Sequence, residues 1–100
     1  MPLVKMGKLA DLPPGGVLEK RIRARRVAVF NVDGRLYGLE ADCKHMRASL
    51  AAGSVKDGTI TCRWHHWRYV LETGECLNLK GVFLKRYDVM VDGDEVFVQM

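Results

Sequence analysis

The chain has 100 residues, of which 48% are apolar, and a formal net charge of +4. This size suits one domain with a modest core, so we expect residues 1–100 to form a single domain. No apolar run reaches the about 18 residues of a membrane helix, and the first residues lack the apolar stretch of a secretion signal. These absences argue against a membrane-spanning or exported protein, and we expect a cytoplasmic one.

The first forty residues are divided by turn signals into stretches typical of β-strands. Residues 5–10 are the first stretch, and a Pro- and Gly-rich loop ends it. Residues 17–31 form a longer run, which the pattern predicts to be a half-exposed strand passing into a buried one. An Asp33-Gly34 turn then predicts a hairpin, with residues 36–40 as its returning strand.

The remaining residues continue this pattern of short strands and turns. Residues 48–52 are long enough for one helical turn, and Asp57-Gly58 predicts a hairpin that leads into a strand over 59–61. Strands at 67–71 and 76–79 would flank a third turn, and strands at 87–91 and 95–99 a fourth. No segment shows ten residues of helical periodicity. The sequence therefore predicts an all-β domain of seven to nine strands, either a sandwich or a small barrel.

Two short segments each carry one cysteine and one histidine. Cys43 and His45 are two positions apart, Cys62 and His65 are three apart, and sixteen residues separate the two segments. Either spacing lets one turn aim both side chains in the same direction. In a reducing compartment the thiols stay available as metal ligands rather than forming a disulfide. The four residues are therefore candidate ligands of one metal centre.

The mixed pairing of these ligands bears on the kind of metal. A structural zinc site also accepts two cysteines and two histidines, but its usual spacing pairs like with like. A blue copper site would use two histidines, one cysteine and an axial methionine, which does not match two cysteines. A [2Fe–2S] cluster with two thiolates on one iron and two imidazoles on the other uses this division of ligands.

The two segments resemble the cluster-binding boxes of Rieske-type iron–sulfur proteins, in particular the ferredoxin components of ring-hydroxylating dioxygenases. The likeness includes the aromatic residues after Cys62 and the Thr73-Gly74-Glu75 turn, and it extends over most of the chain. It implies one [2Fe–2S] cluster, bound by loops at about 42–53 and 61–76. It also implies an antiparallel β sandwich with a small cluster-binding subdomain of two loops. In this family Cys43 and Cys62 would bind the inner iron, and His45 and His65 the outer one.

The chain departs from the family pattern at positions that shape the two loops. His66 and Arg47 stand where glycines are usual, and Arg63 stands where a proline is common. The family's proline loop falls near residues 78–84, which contain no proline. A glycine in the position of His66 usually serves an unusual backbone angle, which histidine adopts at some cost. These changes bear on loop geometry more than on ligation.

Other departures bear on the reduction potential, which hydrogen bonds to the cluster sulfurs tune. High-potential members of the family carry a serine where this chain has Trp67, and an extra cysteine in each box that this chain lacks. Tyr69 keeps the family tyrosine that donates to a cluster sulfur, although a core aromatic is an equal alternative. The resemblance implies a low-potential ferredoxin, near the about −150 mV end of the Rieske range. Cys76 is expected to be a structural residue at the start of a strand.

The resemblance implies an electron-transfer protein rather than an enzyme. It would carry one electron at a time between a flavin-dependent reductase and a terminal oxygenase or another acceptor. Partners would dock around the exposed histidine edges, at Lys44, Met46, Arg47, His66 and Trp67. The alternatives are a small subunit of a nitrite reductase-like complex and a structural zinc module.

Five basic residues crowd positions 20–26. A solvated strand face is the simplest interpretation of this segment. Docking of an acidic protein partner is a second interpretation, and nucleic-acid binding is not expected.

Overall fold

The computed structural model describes residues 3–42, 49–50, 53–63 and 66–100. These residues form nine strands, which confirms the all-β prediction: β1 (Leu3–Lys8), β2 (Val17–Ile22), β3 (Arg25–Val32), β4 (Arg35–Glu40), β5 (Ser54–Lys56), β6 (Thr59–Thr61), β7 (Arg68–Val70), β8 (Arg86–Asp92) and β9 (Glu95–Gln99). A 3₁₀ turn at Leu9–Asp11 follows β1. No helix within the described ranges is long and apolar enough to cross a membrane.

Six of the strands form an antiparallel sheet in the order β1-β9-β8-β4-β3-β2. The two outer strands of this sheet approach each other. The Lys20 ammonium on β2 donates to the Lys5 carbonyl on β1 at 2.9 Å. A Cβ built on Gly7 of β1 would lie 3.2 Å from a methyl carbon of Leu18 on β2. The sheet thus curls into a six-stranded barrel.

The other three strands form a small antiparallel sheet in the order β5-β6-β7. This sheet carries the second candidate ligand loop between β6 and β7, and β5 follows the first loop in the chain. The division into a larger sheet and a smaller loop-bearing part matches the predicted antiparallel architecture with a small subdomain of two loops.

Strand β3 separates two apolar cores because its successive side chains point to opposite faces. Val27 and Val29 face the interior of the barrel, and Ala28 and Phe30 face the small sheet. The barrel core comprises Met6, Leu12, Val27, Val29, Tyr87, Val96 and Val98. The loop-side core comprises Ala28, Phe30, Leu39, Ala41, Leu50, Ile60, Cys62, Tyr69, Leu71, Cys76 and Leu84. The candidate loops therefore rest on a core of their own.

Two of the predicted hairpins contain left-handed turns of the expected kind. Asp33 and Gly34 have φ angles of 52° and 92°, and Asp57 and Gly58 have angles of 53° and 75°. Two successive residues with positive φ match the twist of the flanking strands, and Asp-Gly adopts this conformation readily. These two turns confirm the sequence prediction. The helical turn predicted over 48–52 lies mostly outside the described residues.

Two predictions about strands were wrong. The run 17–31 is not one continuous strand but two, β2 and β3, which reverse at Arg23 and Ala24. Arg23 takes a φ of 59° there, a conformation that its residue type does not suggest. Residues 76–79 do not form a strand. Cys76 makes one isolated bridge to Tyr69, and the Leu77 N–H donates to the Arg68 carbonyl at 2.8 Å, so this segment contacts β7 without continuing as a strand.

Candidate metal centre

Of the four predicted ligands, Cys62 lies within the described part of the chain. Cys43, His45 and His65 lie outside the described residues. The described residues contain no group of three His, Cys, Asp or Glu side chains that could hold a metal. The structure therefore informs the site through Cys62 and through the residues that anchor the two loops.

The first loop is anchored at its base by residues on both of its sides. Asp42 and Ser49 form an antiparallel bridge, and the Leu50 N–H donates to the Ala41 carbonyl at 2.6 Å. The Ser49 hydroxyl donates to the Glu19 carboxylate on β2. This pairing holds Asp42 and Ser49, the residues on either side of the segment 43–48, against each other and against the barrel sheet.

An ion pair from β3 also reaches this base. The Arg26 guanidinium lies 3.4 Å from the Asp42 carboxylate. The residue before Cys43 is thus held by a side chain of the barrel sheet.

The second loop is closed at its base in a similar way. The Cys62 N–H donates to the Trp67 carbonyl at 2.6 Å, directly beyond the last pair of β6 and β7, Thr61 and Arg68. Cys62 is fully buried and packs in the loop-side core with Ile60 and Tyr69. A buried cysteine at the first position of a pinned loop has its backbone fixed before any metal binds.

His66 has a φ of 56° and an exposed side chain. The expectation that this position needs an unusual backbone angle is therefore confirmed. A residue with a Cβ adopts the left-handed conformation at a cost of about 1–2 kcal/mol. This left-handed residue directly precedes Trp67, whose carbonyl closes the base of the second loop.

The two aromatic residues after the second loop are buried to different degrees. Tyr69 is fully buried in the loop-side core, and Trp67 is partly buried against the same core. Both rings therefore contact the core that contains Cys62. Tyr69 is therefore a core aromatic, and donation by its hydroxyl to a cluster sulfur stays a prediction.

Cys76 is 3% exposed and packs in the loop-side core, which fits the structural role expected for it. Within the described part of the chain, neither Cys62 nor Cys76 takes part in a disulfide. Cys76 is more deeply buried than the sequence suggested, and it precedes a turn rather than starting a strand.

Sequence reasoning missed an apolar surface beside the second loop. Leu77, Leu79 and Phe83 are 47%, 49% and 52% exposed. Their segment is held against β7 because the Arg68 N–H donates to the Asn78 side-chain oxygen at 2.7 Å. The sequence does show large apolar residues around a glycine turn. Whether these residues are exposed depends on how the turn packs against β7, which the sequence does not indicate.

Comparison with known proteins gives the family. Residues 3–87 match the Rieske [2Fe-2S] domain. The chain is 31% identical over 100 residues to the biphenyl dioxygenase ferredoxin subunit of Pseudomonas sp. (strain KKS102), covering 98% of this chain and 92% of that protein. It is 36% identical over 95 residues to the 3-phenylpropionate/cinnamic acid dioxygenase ferredoxin subunit of Escherichia coli (strain K12), covering 92% and 88%.

Solved structures show the same architecture. A ferredoxin in complex with the oxygenase of carbazole 1,9a-dioxygenase superposes with a TM-score of 0.85 at 29% identity, covering 96% of this chain and 91% of that one. A protein described as the small subunit of an NADPH nitrite reductase superposes with a TM-score of 0.83 at 24% identity, with full coverage of both chains. The second likeness concerns the fold alone.

These comparisons confirm the ferredoxin-type fold and the resemblance from which the metal site was predicted. They also argue against the structural zinc module, whose spacing of ligands differs. With its paired Cys-His segments, its two pinned loops and its two-sheet architecture, the chain is a member of the Rieske [2Fe-2S] domain family and a ferredoxin-type electron carrier.

Proposed function

We propose that Cys43, His45, Cys62 and His65 bind one [2Fe–2S] cluster, the two cysteines through thiolates on one iron and the two histidines on the other. The observation that carries the proposal is the position of Cys62, buried at the anchored start of the second loop. In its thiolate form this side chain is the species that binds a metal. The cluster, when bound, would accept and release single electrons.

The protein's own residues prepare this site in two ways. The bridge between Asp42 and Ser49 and the bond from Cys62 to Trp67 fix the bases of the two loops, which limits the entropy that the loops lose on binding. The loop-side core, through Tyr69 and Leu71, excludes water from beneath the cysteine. We expect electrons to enter and leave on the opposite side, where His66 is exposed.

We further propose that the chain works with a flavin-dependent reductase as donor and a terminal oxygenase as acceptor. Support comes from the relatives, which are ferredoxin subunits of biphenyl and 3-phenylpropionate dioxygenases, and from the carbazole dioxygenase ferredoxin, which forms a complex with its oxygenase. Residues 1–100 would act as one domain in the cytoplasm, where reduced cysteines can take up iron.

Spectroscopy of the reconstituted protein tests the cluster. Incubation with iron and sulfide without oxygen should give a red-brown protein that contains about two irons and two sulfides per chain. The reduced protein should give an EPR signal with an average g below two. A colourless protein that takes up one zinc ion, and no iron and sulfide, would contradict the proposal.

Paired variants test the ligand set. Cys62→Ser and His65→Ala should each abolish the cluster spectrum, because each removes a ligand. The matched controls are Cys76→Ser and His66→Ala, which change a buried cysteine and the adjacent histidine outside the proposed set. Both controls should retain the cluster. Loss of the spectrum in His66→Ala together with its retention in His65→Ala would assign the ligand to His66 instead.

A further inference from the structure

The hairpin formed by β2 and β3 presents a group of arginines on an exposed tip. Arg21, Arg23 and Arg25 are exposed, and none of them forms an ion pair with another described residue. The positive charge of this tip is therefore available to a partner.

The arrangement of these arginines is unfavourable for the isolated protein. Arg21 lies directly opposite Arg26, a like-charged pair that is unfavourable across two strands and is offset in part by the ion pair of Arg26 with Asp42. Arg23 has a φ of 59° at the first of the two turn residues, where glycine is the residue without a steric penalty. A sequence selected for stability alone would place another residue at position 23.

The tip lies beside the first ligand loop. Residues 19 and 21 share one face of β2, and their partners Ala28 and Arg26 share the same face of β3. This face carries the loop-side core, because Ala28 packs there. Glu19 accepts a hydrogen bond from Ser49, which lies at the base of the first loop. Any partner that covers Arg21 therefore comes close to Asp42 and Ser49, the residues that flank the segment 43–48.

We propose that this arginine tip is the electrostatic docking site for an acidic surface of a protein redox partner, next to the first ligand loop. The inference rests on the proposed electron-carrier function, since it assigns to that function a surface for its partner. An acidic protein fits better than nucleic acid, because two carboxylates, those of Glu19 and Asp42, are interspersed among the cations. The continuous phosphate backbone of a nucleic acid would be repelled by both carboxylates.

The test compares variants with equal loss of charge, using a flavodoxin as the acidic one-electron donor. Arg21→Gln/Arg23→Gln removes two charges at the tip, and Lys8→Gln/Lys56→Gln removes two exposed charges at the other end of the molecule. Lys56 lines an open cleft with Gly15, Val17 and Asp33, away from the tip. Stopped-flow absorbance follows the transfer of one electron from the reduced flavin to the oxidised cluster.

At about 0.01 M ionic strength, where the Debye length is about 30 Å, the arginine double variant should lower the second-order rate by about five- to ten-fold. The lysine double variant should lower it less than two-fold. At about 1 M salt, where the Debye length is about 3 Å, the rates should converge. Equal losses in the two double variants would mean that net charge alone matters, and would overturn the docking site.

A variant at the turn separates docking from folding. Arg23→Gly should raise the midpoint of chemical unfolding, because it relieves the left-handed φ, yet lower the rate with flavodoxin by about two- to three-fold. Lys56→Gln, with the same loss of one charge, should leave the rate nearly unchanged. An unaltered rate in Arg23→Gly would contradict the proposal.

Two further measurements distinguish a wrong docking site from a wrong electron-carrier function and from nucleic-acid binding. Flavodoxin added to the ¹⁵N-labelled protein should shift the amide signals of residues 19–27 more than those around Lys8 and Lys56, and shifts centred elsewhere would overturn the proposal. Because this readout needs no electron transfer, it stands even if the cluster spectrum fails. If the arginine double variant loses affinity for a labelled DNA duplex while its flavodoxin rate is unchanged, the tip binds nucleic acid and the proposal is wrong.

Discussion

His66 combines an exposed side chain with a backbone φ of 56°. The left-handed conformation costs a residue with a Cβ about 1–2 kcal/mol, and an exposed imidazole gains little from burial that would offset it. The histidine is therefore a candidate for contact with a partner rather than for stability.

His66→Gly should stabilise the protein. Relief of the left-handed angle contributes about 1–2 kcal/mol, and the greater freedom of glycine in the unfolded chain offsets about 0.5–1 kcal/mol of this. We expect a net gain of about 0.5–1 kcal/mol in the free energy of unfolding, measured by denaturant titration. His66→Ala is the control and should give no gain, because alanine keeps the Cβ. Equal gains in both variants would show that the side chain, not the angle, is responsible.

Tyr69 allows a test of the reduction potential, since its ring is buried beneath the second loop. We expect the native protein near about −150 mV, and Tyr69→Phe about 20–60 mV lower. This shift corresponds to a hydrogen bond of about 0.5–1.5 kcal/mol at about 2.3 kcal/mol per 100 mV. Tyr37→Phe, on β4, is the control for loss of a tyrosine hydroxyl elsewhere. A redox titration that gives equal potentials for native protein and Tyr69→Phe would remove this hydroxyl from the tuning of the cluster.

At the scale of elements, Gly53 holds β5 close to β6. A Cβ at this position would lie 2.3 Å from the Thr61 carbonyl oxygen and 3.1 Å from the Leu50 carbonyl oxygen. Both neighbours are backbone atoms, so the strand itself would have to move. The glycine is thus required by a close approach between the segment after the first loop and the strand that leads into Cys62.

Gly53→Ala should destabilise the protein by about 1–3 kcal/mol, the usual cost of overpacking. It should also reduce the fraction of chains that take up the cluster, because the displaced strand leads into a ligand. Ser54→Ala, at the exposed next residue, is the control and should change stability by less than about 0.5 kcal/mol. Denaturant titration and iron analysis measure the two effects, and native-like values for Gly53→Ala would contradict the tight approach.

The elements that the sequence predicted well are those with a local chemical cause. The Asp33-Gly34 and Asp57-Gly58 turns were predictable because Asp and Gly tolerate a positive φ. The turn at Arg23 was not predictable, because nothing in Arg23-Ala24 favours a reversal and only pairing of β2 with β3 imposes it. The bend after Cys76 depends likewise on distant contacts.

The candidate site likewise has features that the sequence predicted and features that it could not predict. The paired Cys-His spacing gave the family, which the comparisons confirmed, and the ligand assignment itself stays a prediction. Neither the exposure of Leu77 and Phe83 nor the position of the arginine tip beside the first loop could be read from spacing, because both depend on how separate segments pack.

At the scale of the whole molecule, the described residues form two cores on either side of one strand, and the core that contains Cys62 is the one next to the bases of the ligand loops. The barrel core, with Val96 and Val98 from β9, has no member on the small sheet. The loop-side core depends on strands of three residues each, β5, β6 and β7. Strands this short gain little from pairing alone, so the cluster should stabilise this half of the molecule more than the other.

Removal of the cluster should therefore loosen one half of the protein before the other. In hydrogen exchange measured by mass spectrometry, the cluster-free protein should lose protection over residues 54–70 while residues 86–99 stay close to the cluster-loaded level. The cluster-loaded protein is the control. Simultaneous loss of protection in both segments would show that the two cores unfold as one unit.

The burial of β3 on both faces has a consequence for how the chain avoids misfolding. Val27, Ala28, Val29 and Phe30 are all apolar, so a slip of the strand by one residue would still bury apolar side chains on each side. Hydrophobic patterning therefore cannot select the correct alignment. That selection falls to the turns that flank the strand and to Asn31, a buried polar residue whose side chain donates to the Leu12 carbonyl at 2.8 Å. An insertion at Asp33-Gly34 that shifted β4 by one residue against β3 would turn Leu39 away from the core on which the ligand loops rest.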